Sequence, residues 1–67
     1  MSVAKVVEIT AESPQSFEAA IKHGIERANQ TLKNLQTAWV KEQTVVIREG
    51  RPVAYRVDLK VTFILND

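Results

Sequence analysis

Val53 to Leu65 reads VAYRVDLKVTFIL, and every odd position in it (Val53, Tyr55, Val57, Leu59, Val61, Phe63, Leu65) is apolar. The even positions through Thr62 are small, charged or hydroxylated. An alternation of period two over such a length predicts one long β-strand with an apolar face and a polar face, and no helical template fits it. Such a strand needs a partner, a cover for its apolar side and a reason for its polar side.

The partner lies just upstream. Thr37 to Arg48 forms a second extended run, and Glu49-Gly50 between the two runs predicts a tight hairpin, with Gly50 free to take a positive φ. With those two residues as the loop, Arg48 pairs with Arg51, Val46 with Val53, Gln43 with Arg56 and Trp39 with Lys60. This register gathers Ala38, Val40, Val46, Val53, Tyr55, Val57, Leu59 and Val61 on one face. Thr37, Trp39, Lys41, Gln43, Arg56, Asp58, Lys60 and Thr62 share the other. Glu42 and Thr44 fit the apolar face poorly, so part of the hairpin is expected to extend beyond whatever covers it.

The cover is a helix. Phe17, Ile21, Ile25, Ala28, Leu32 and Leu35 recur at helical spacing and trace one apolar stripe. Ser13-Pro14 reads as an N-cap followed by proline at the first helical position, and the pattern runs out near Asn34. Beside the stripe, Ala20, Gly24 and Ala28 form a line of small residues. Glycine inside a helix costs about 1 kcal/mol relative to alanine, so Gly24 predicts a close approach to a neighbouring segment. Residues 3–9, rich in valine and isoleucine, predict a first, short strand. The expected fold is α+β: β-α-β-β, with an antiparallel sheet packed on one helix and residues 1–67 as a single domain.

The totals narrow what such a domain does. A chain of 67 residues buries only about 60% of the surface its unfolded form exposes, and domains of this size lean on disulfides, metals or self-association. There is no cysteine, and one histidine cannot supply a zinc motif. Self-association is the support that remains. Nine Lys and Arg against eight Asp and Glu give a net charge of +1 with the signs interspersed, unlike the basic stripe of a nucleic-acid binder. The early charges at Lys5 and Glu8 interrupt any signal-peptide core, and no run is long enough to span a membrane. The sequence reads as cytoplasmic.

Chemistry-bearing constellations are sparse. His23 has no orienting acid in view, Ser13 and Ser16 suit a helix start better than a nucleophile, and two glycines do not make a phosphate loop. No catalytic residue is expected. Trp39 stands out instead, as a large apolar plate on the polar face that calls for a second subunit or a stacked ligand. Arg56 and Gln43 offer polar contacts on that face, although salt-bridge duty is the commoner fate of such an arginine.

The pieces KVVEI at 5–9, SP at 13–14, AI at 20–21, RANQTL at 27–32 and VAYRVDLKVTF at 53–63, with their order and spacing, resemble the dodecin family across nearly the whole chain. The resemblance implies a three-stranded antiparallel sheet wrapped partly around one helix. It also implies a hollow homododecamer that stores riboflavin or flavin mononucleotide (FMN) at subunit interfaces without turning it over. The flavin motif of that family runs leucine, aspartate, tryptophan, aromatic. Here the equivalent run is Leu35-Gln36-Thr37-Ala38-Trp39, which puts Thr37 at the stacking position, and Arg56 replaces a flavin-contacting glutamine. Two readings follow from the resemblance. In one, Trp39, a pleat beyond Thr37, stacks a displaced flavin or other planar ligand, with Arg56, Thr37 and Gln43 around it. In the other, the chain is similar to a branch that lacks the stacking tryptophan and for which calcium binding is proposed.

Overall fold

The computed structural model of the chain describes residues 2–65. The elements run β1 (Ala4–Ser13), α1 (Phe17–Ala28), β2 (Leu35–Arg48) and β3 (Arg51–Ile64). All pairings are antiparallel and the strand order is β1-β3-β2, so the alternating stretch forms the central strand. This is the expected β-α-β-β arrangement of three strands and one helix.

β1 is longer than its sequence suggests. Its ladder with β3 runs from Ala4↔Ile64 to Ser13↔Tyr55, so pairing carries the strand past Ile9 and up to the serine expected to cap the helix. The helix start moves accordingly. Ser13 ends β1, its Oγ accepting the Gln15 N–H at 3.0 Å, and Ser16 is the N-cap, accepting the Ala19 N–H at 2.9 Å. At the other end α1 stops at Ala28 instead of near Asn34. Leu32 N–H closes on the Ala28 carbonyl at 2.9 Å, and Asn34 takes a left-handed φ of 63°, a conformation its short polar side chain tolerates. Leu35 then pairs with Phe63 as a strand residue. Leu32 and Leu35 thus continue the apolar spacing without continuing the helix.

The hairpin forms where expected. Glu49 (φ 51°) and Gly50 (φ 76°) both sit in the left-handed region, as a two-residue turn matched to the sheet twist requires, and Arg48 faces Arg51. The expected register holds for Thr37 to Val40 and is regained at Ile47, but two irregularities shift the span between. Lys41 is an extra residue on β2 and Val53 an extra residue on β3. Between them Gln43 lies opposite Val57, Thr44 opposite Arg56 and Val46 opposite Ala54. Directly opposed residues share a face, so the bulge at Lys41 takes Gln43 to the helix side of the sheet and brings Glu42 and Thr44 to the polar side.

Val57, Leu59 and Val61 are essentially inaccessible and form the core with Ala20. The small residues of α1, more than its large ones, face the sheet: Ala20, Gly24 and Ala28 are buried, while Phe17, Ile21 and Ile25 pack around the edges. A Cβ on Gly24 would stand 3.0 Å from Ala11 Cβ and 3.2 Å from the Leu59 Cδ1 atom, which confirms the close approach and identifies its partners as side chains of β1 and β3. Phe17 closes one end of the core edge-on against Tyr55, with ring centres 5.2 Å apart. The described residues extend 51 × 19 × 13 Å. A helix of this length spans about 18 Å, so the hairpin projects well past it and leaves Val45, Ile47 and Val53 exposed near its tip.

Candidate functional site

The face of the sheet away from α1 is built by the even residues of β1 and β3 together with the residues of β2 that oppose them. From the open end toward the hairpin the rows are Val6, Thr62 and Thr37; then Glu8, Lys60 and Trp39; then Thr10, Asp58 and Glu42; then Glu12, Arg56 and Thr44. Apolar side chains border a charged centre. Trp39 is 60% exposed, and the Lys60 Nζ lies over its ring at 5.5 Å from the centroid, a cation–π contact.

Two ion pairs cross this face. Lys41 Nζ, on the bulge, reaches over β3 to Glu8 Oε2 at 3.6 Å, and Arg56 holds Glu12 Oε1 through both Nη2 (2.8 Å) and Nε (2.9 Å). The side chains of all four remain at least a third exposed, so the pairs contribute little to stability and serve mainly to fix positions. Glu8 and Asp58 also influence each other. The hydrogen bond between their side chains holds the Glu8 carboxyl below its ordinary range, helped by Lys41 and Lys60. The same contact, with desolvation and the charge of Glu8, raises that of Asp58.

The four residues singled out in the sequence do not form one cluster. Thr37 and Trp39 are neighbours on the polar face. Arg56 shares that face but sits four residues along β3 from Lys60, about 13 Å at strand rise, and is engaged by Glu12. Gln43 is displaced to the other side by the Lys41 bulge, so it does not stand opposite Arg56 as the unbulged register predicted. Glu8 and Glu12 were overlooked as partners. Their signal was the alternation Glu8, Thr10, Glu12, visible once β1 is allowed to continue to Ser13. His23 is exposed on the helix.

The principal concavity lies elsewhere. An open groove of about 520 Å³ separates β1 from the second half of α1, floored by Ile9, Ala11, Gly24 and Ala28 and rimmed by His23 and Arg27. It exists because the helix presents its smallest residues there. Trp39 lines neither this groove nor the two smaller ones beside α1. Among the described residues the indole is therefore a plate whose face is not enclosed by any of these grooves. Among the described residues no group of three or more His, Cys, Asp and Glu is poised to hold a metal, and no helix is long and apolar enough to cross a membrane.

A twisted three-stranded sheet half covered by one helix, with a single tryptophan on its uncovered side, defines a small α+β class to which the known proteins can be compared. Residues 3–66 match the dodecin family, and the chain belongs to it. It is 35% identical over 63 residues to the calcium dodecin of Mycobacterium tuberculosis, covering 94% of this chain and 89% of that protein. It is 38% identical over 65 residues to the dodecin of Thermus thermophilus, covering 97% and 94%. The solved dodecin from Streptomyces davaonensis superposes with a TM-score of 0.93 at 35% identity, over 98% of this chain and 97% of that one.

Proposed function

We propose that residues 1–67 act as one subunit of a non-catalytic, cytoplasmic homododecamer that binds and stores a flavin, riboflavin or FMN, against the Trp39 face. The observation that carries this reading is the sole tryptophan, 60% exposed on a sheet face, with the Lys60 Nζ 5.5 Å from its ring centroid. A flat, electron-rich indole in that setting is suited to stacking a planar heteroaromatic ring. Thr37 and Thr62 beside it supply hydroxyls for the ring's polar edge, and Lys60 supplies a cation for a phosphate. Arg56 enters only if a ligand displaces Glu12. Gln43 reaches a ligand only from another copy, since its own sheet stands between it and Trp39. An opposing wall for the indole is supplied by a second subunit in this reading, and the exposed apolar residues Val6, Val45 and Ile47 supply contact area for assembly.

Titration of ligand-free protein with riboflavin and with FMN tests the proposal. Quenching of flavin emission at micromolar protein, lost in Trp39→Ala, is expected; unquenched emission sinks the flavin reading. Light scattering reports assembly independently, and a monomeric mass removes the shell.

A second reading is a dodecin-like shell that binds calcium and no flavin. The name of the Mycobacterium relative favours it. The described residues offer no ready three-ligand group within one chain, so this reading draws carboxylates from several copies. Calorimetric titration with calcium chloride that evolves no heat would eliminate it.

A further inference from the structure

One oxygen on the polar face has no donor. Asp58 Oδ1 is shut off from solvent, and no N–H or O–H of the described residues reaches it. The residue sits on the central strand between Thr10 of β1 and Glu42 of β2, and the Glu8 carboxyl lies within hydrogen-bonding range of its own. Two carboxylates cannot bond to each other, because each only accepts. A single proton held between them supplies the donor that the pair lacks.

Lys60 connects this pair to Trp39. It stands directly opposite Glu8 across one ladder and directly opposite Trp39 across the other, and its Nζ rests over the indole ring. We propose that Glu8 and Asp58 share one proton, and that its release to water as pH rises draws Lys60 off the Trp39 ring and opens that indole face.

The charge inventory of the face supports this order of events. With the shared proton in place the pair carries a single negative charge, which Lys41 balances from 3.6 Å. Without it the pair carries two, with Glu42 adding a third across the β2–β3 ladder. Arg56 is held by Glu12 at 2.8 Å, and β1 contributes no cation on this side, its Lys5 lying on the helix side of the ladder. The helix packs on the opposite face, so Lys22, His23 and Arg27 do not enter. Lys60 is the cation left to answer the second charge, and an exposed cation–π contact is a weak competitor for it. Glu8 is favoured as the ionised partner and Asp58 as the one that retains the proton, in keeping with the directions in which their neighbours push them.

The device involves only this chain's residues, so it stands or falls in ligand-free protein whether or not the flavin reading holds. Trp39 is the only tryptophan and reports directly by emission. On titration, the emission is expected to change in one single-proton step, and the side-chain carboxyl 13C resonances of Glu8 and Asp58 are expected to move through that same midpoint, as a coupled pair does. Asp58→Asn keeps the shape and supplies a permanent N–H, so the emission step disappears. Lys60→Met keeps the coupled carboxyl shifts and loses the emission step. The proposal is overturned by an emission step that survives in either variant, or by Glu8 and Asp58 resonances that titrate separately in the ordinary carboxylate range.

Discussion

β3 shows two different proteins on its two sides. Val57, Leu59 and Val61 are sealed under the helix, while Arg56, Asp58, Lys60 and Thr62, interleaved with them, face away from it among charged and polar neighbours. The backbone and its hydrogen bonds are common to both sides, so the contrast isolates what packing adds. On the helix side a side chain is judged by volume. On the other it is judged by charge, and stability leaves it largely free to change.

The contrast is strongest at Leu59. Leu59→Ala is expected to cost about 2–5 kcal/mol through lost burial and a residual cavity, a large share of the stability of so small a domain, read as a drop in urea midpoint. A cost near zero would mean that the helix does not seal this face. Gly24→Val tests the same side by overfilling it. A branched side chain placed 3.0 Å from Ala11 Cβ should cost about 1–3 kcal/mol, and a neutral outcome would show that α1 can ride higher on the sheet.

Across the strand the expected effects shrink. Trp39→Ala should change the stability of the folded chain by no more than about 0.5 kcal/mol while weakening flavin binding tenfold or more, at about 1–3 kcal/mol for a lost aromatic stack. Equal losses of stability and binding would make Trp39 a structural residue. Arg56→Met should cost about 0–1 kcal/mol and the difference should narrow at high salt. A salt-independent penalty would point to packing by the arginine stem.

The smallest effect is the most diagnostic in sign. The folded chain holds the Asp58 proton more tightly than the unfolded chain does, so that stabilisation is present at acid pH and is lost as pH rises through the raised folded value. Glu8 runs the other way, contributing above its unfolded value and losing that contribution as pH falls through its lowered folded value. Asp58→Asn removes the first dependence and keeps a donor for Glu8. Its melting temperature should therefore exceed that of the parent chain at neutral pH, with the gap closing toward acid; a gap independent of pH would refute the shared proton.

Much of this was legible in the sequence, for reasons that differ by region. β3 declares itself because both of its faces are under strong and opposite demands, and the Glu49-Gly50 turn because Gly50 takes positive φ at no steric cost, although nothing in Glu49 announces that it takes positive φ as well. The helix limits were misjudged at both ends by local signals that tertiary pairing overrides: Ser13-Pro14 suits a cap, yet Ser13 is held by its ladder with Tyr55, and Leu32 keeps helical spacing after the helix has ended. The candidate site was legible as a list more than as an arrangement. Trp39 and Lys60 fell into place because the register from Thr37 to Val40 is regular. Gln43 did not, because nothing in its own chemistry reports a bulge two residues earlier, and Arg56 found Glu12 on a strand that had been ended too soon.

That bulge has a consequence for how such surfaces change over time. Substitution alters a face one side chain at a time, whereas gain or loss of one residue beside Lys41 exchanges the inner and outer sets of the whole span up to the next irregularity. The ladder tolerates the change, since the strand already accommodates an unpaired residue there. A single codon inserted or deleted at this point therefore redraws the outer surface of β2 from residue 42 to residue 46 at one stroke, while Leu59 and Val61 keep their neighbours Val40 and Ala38.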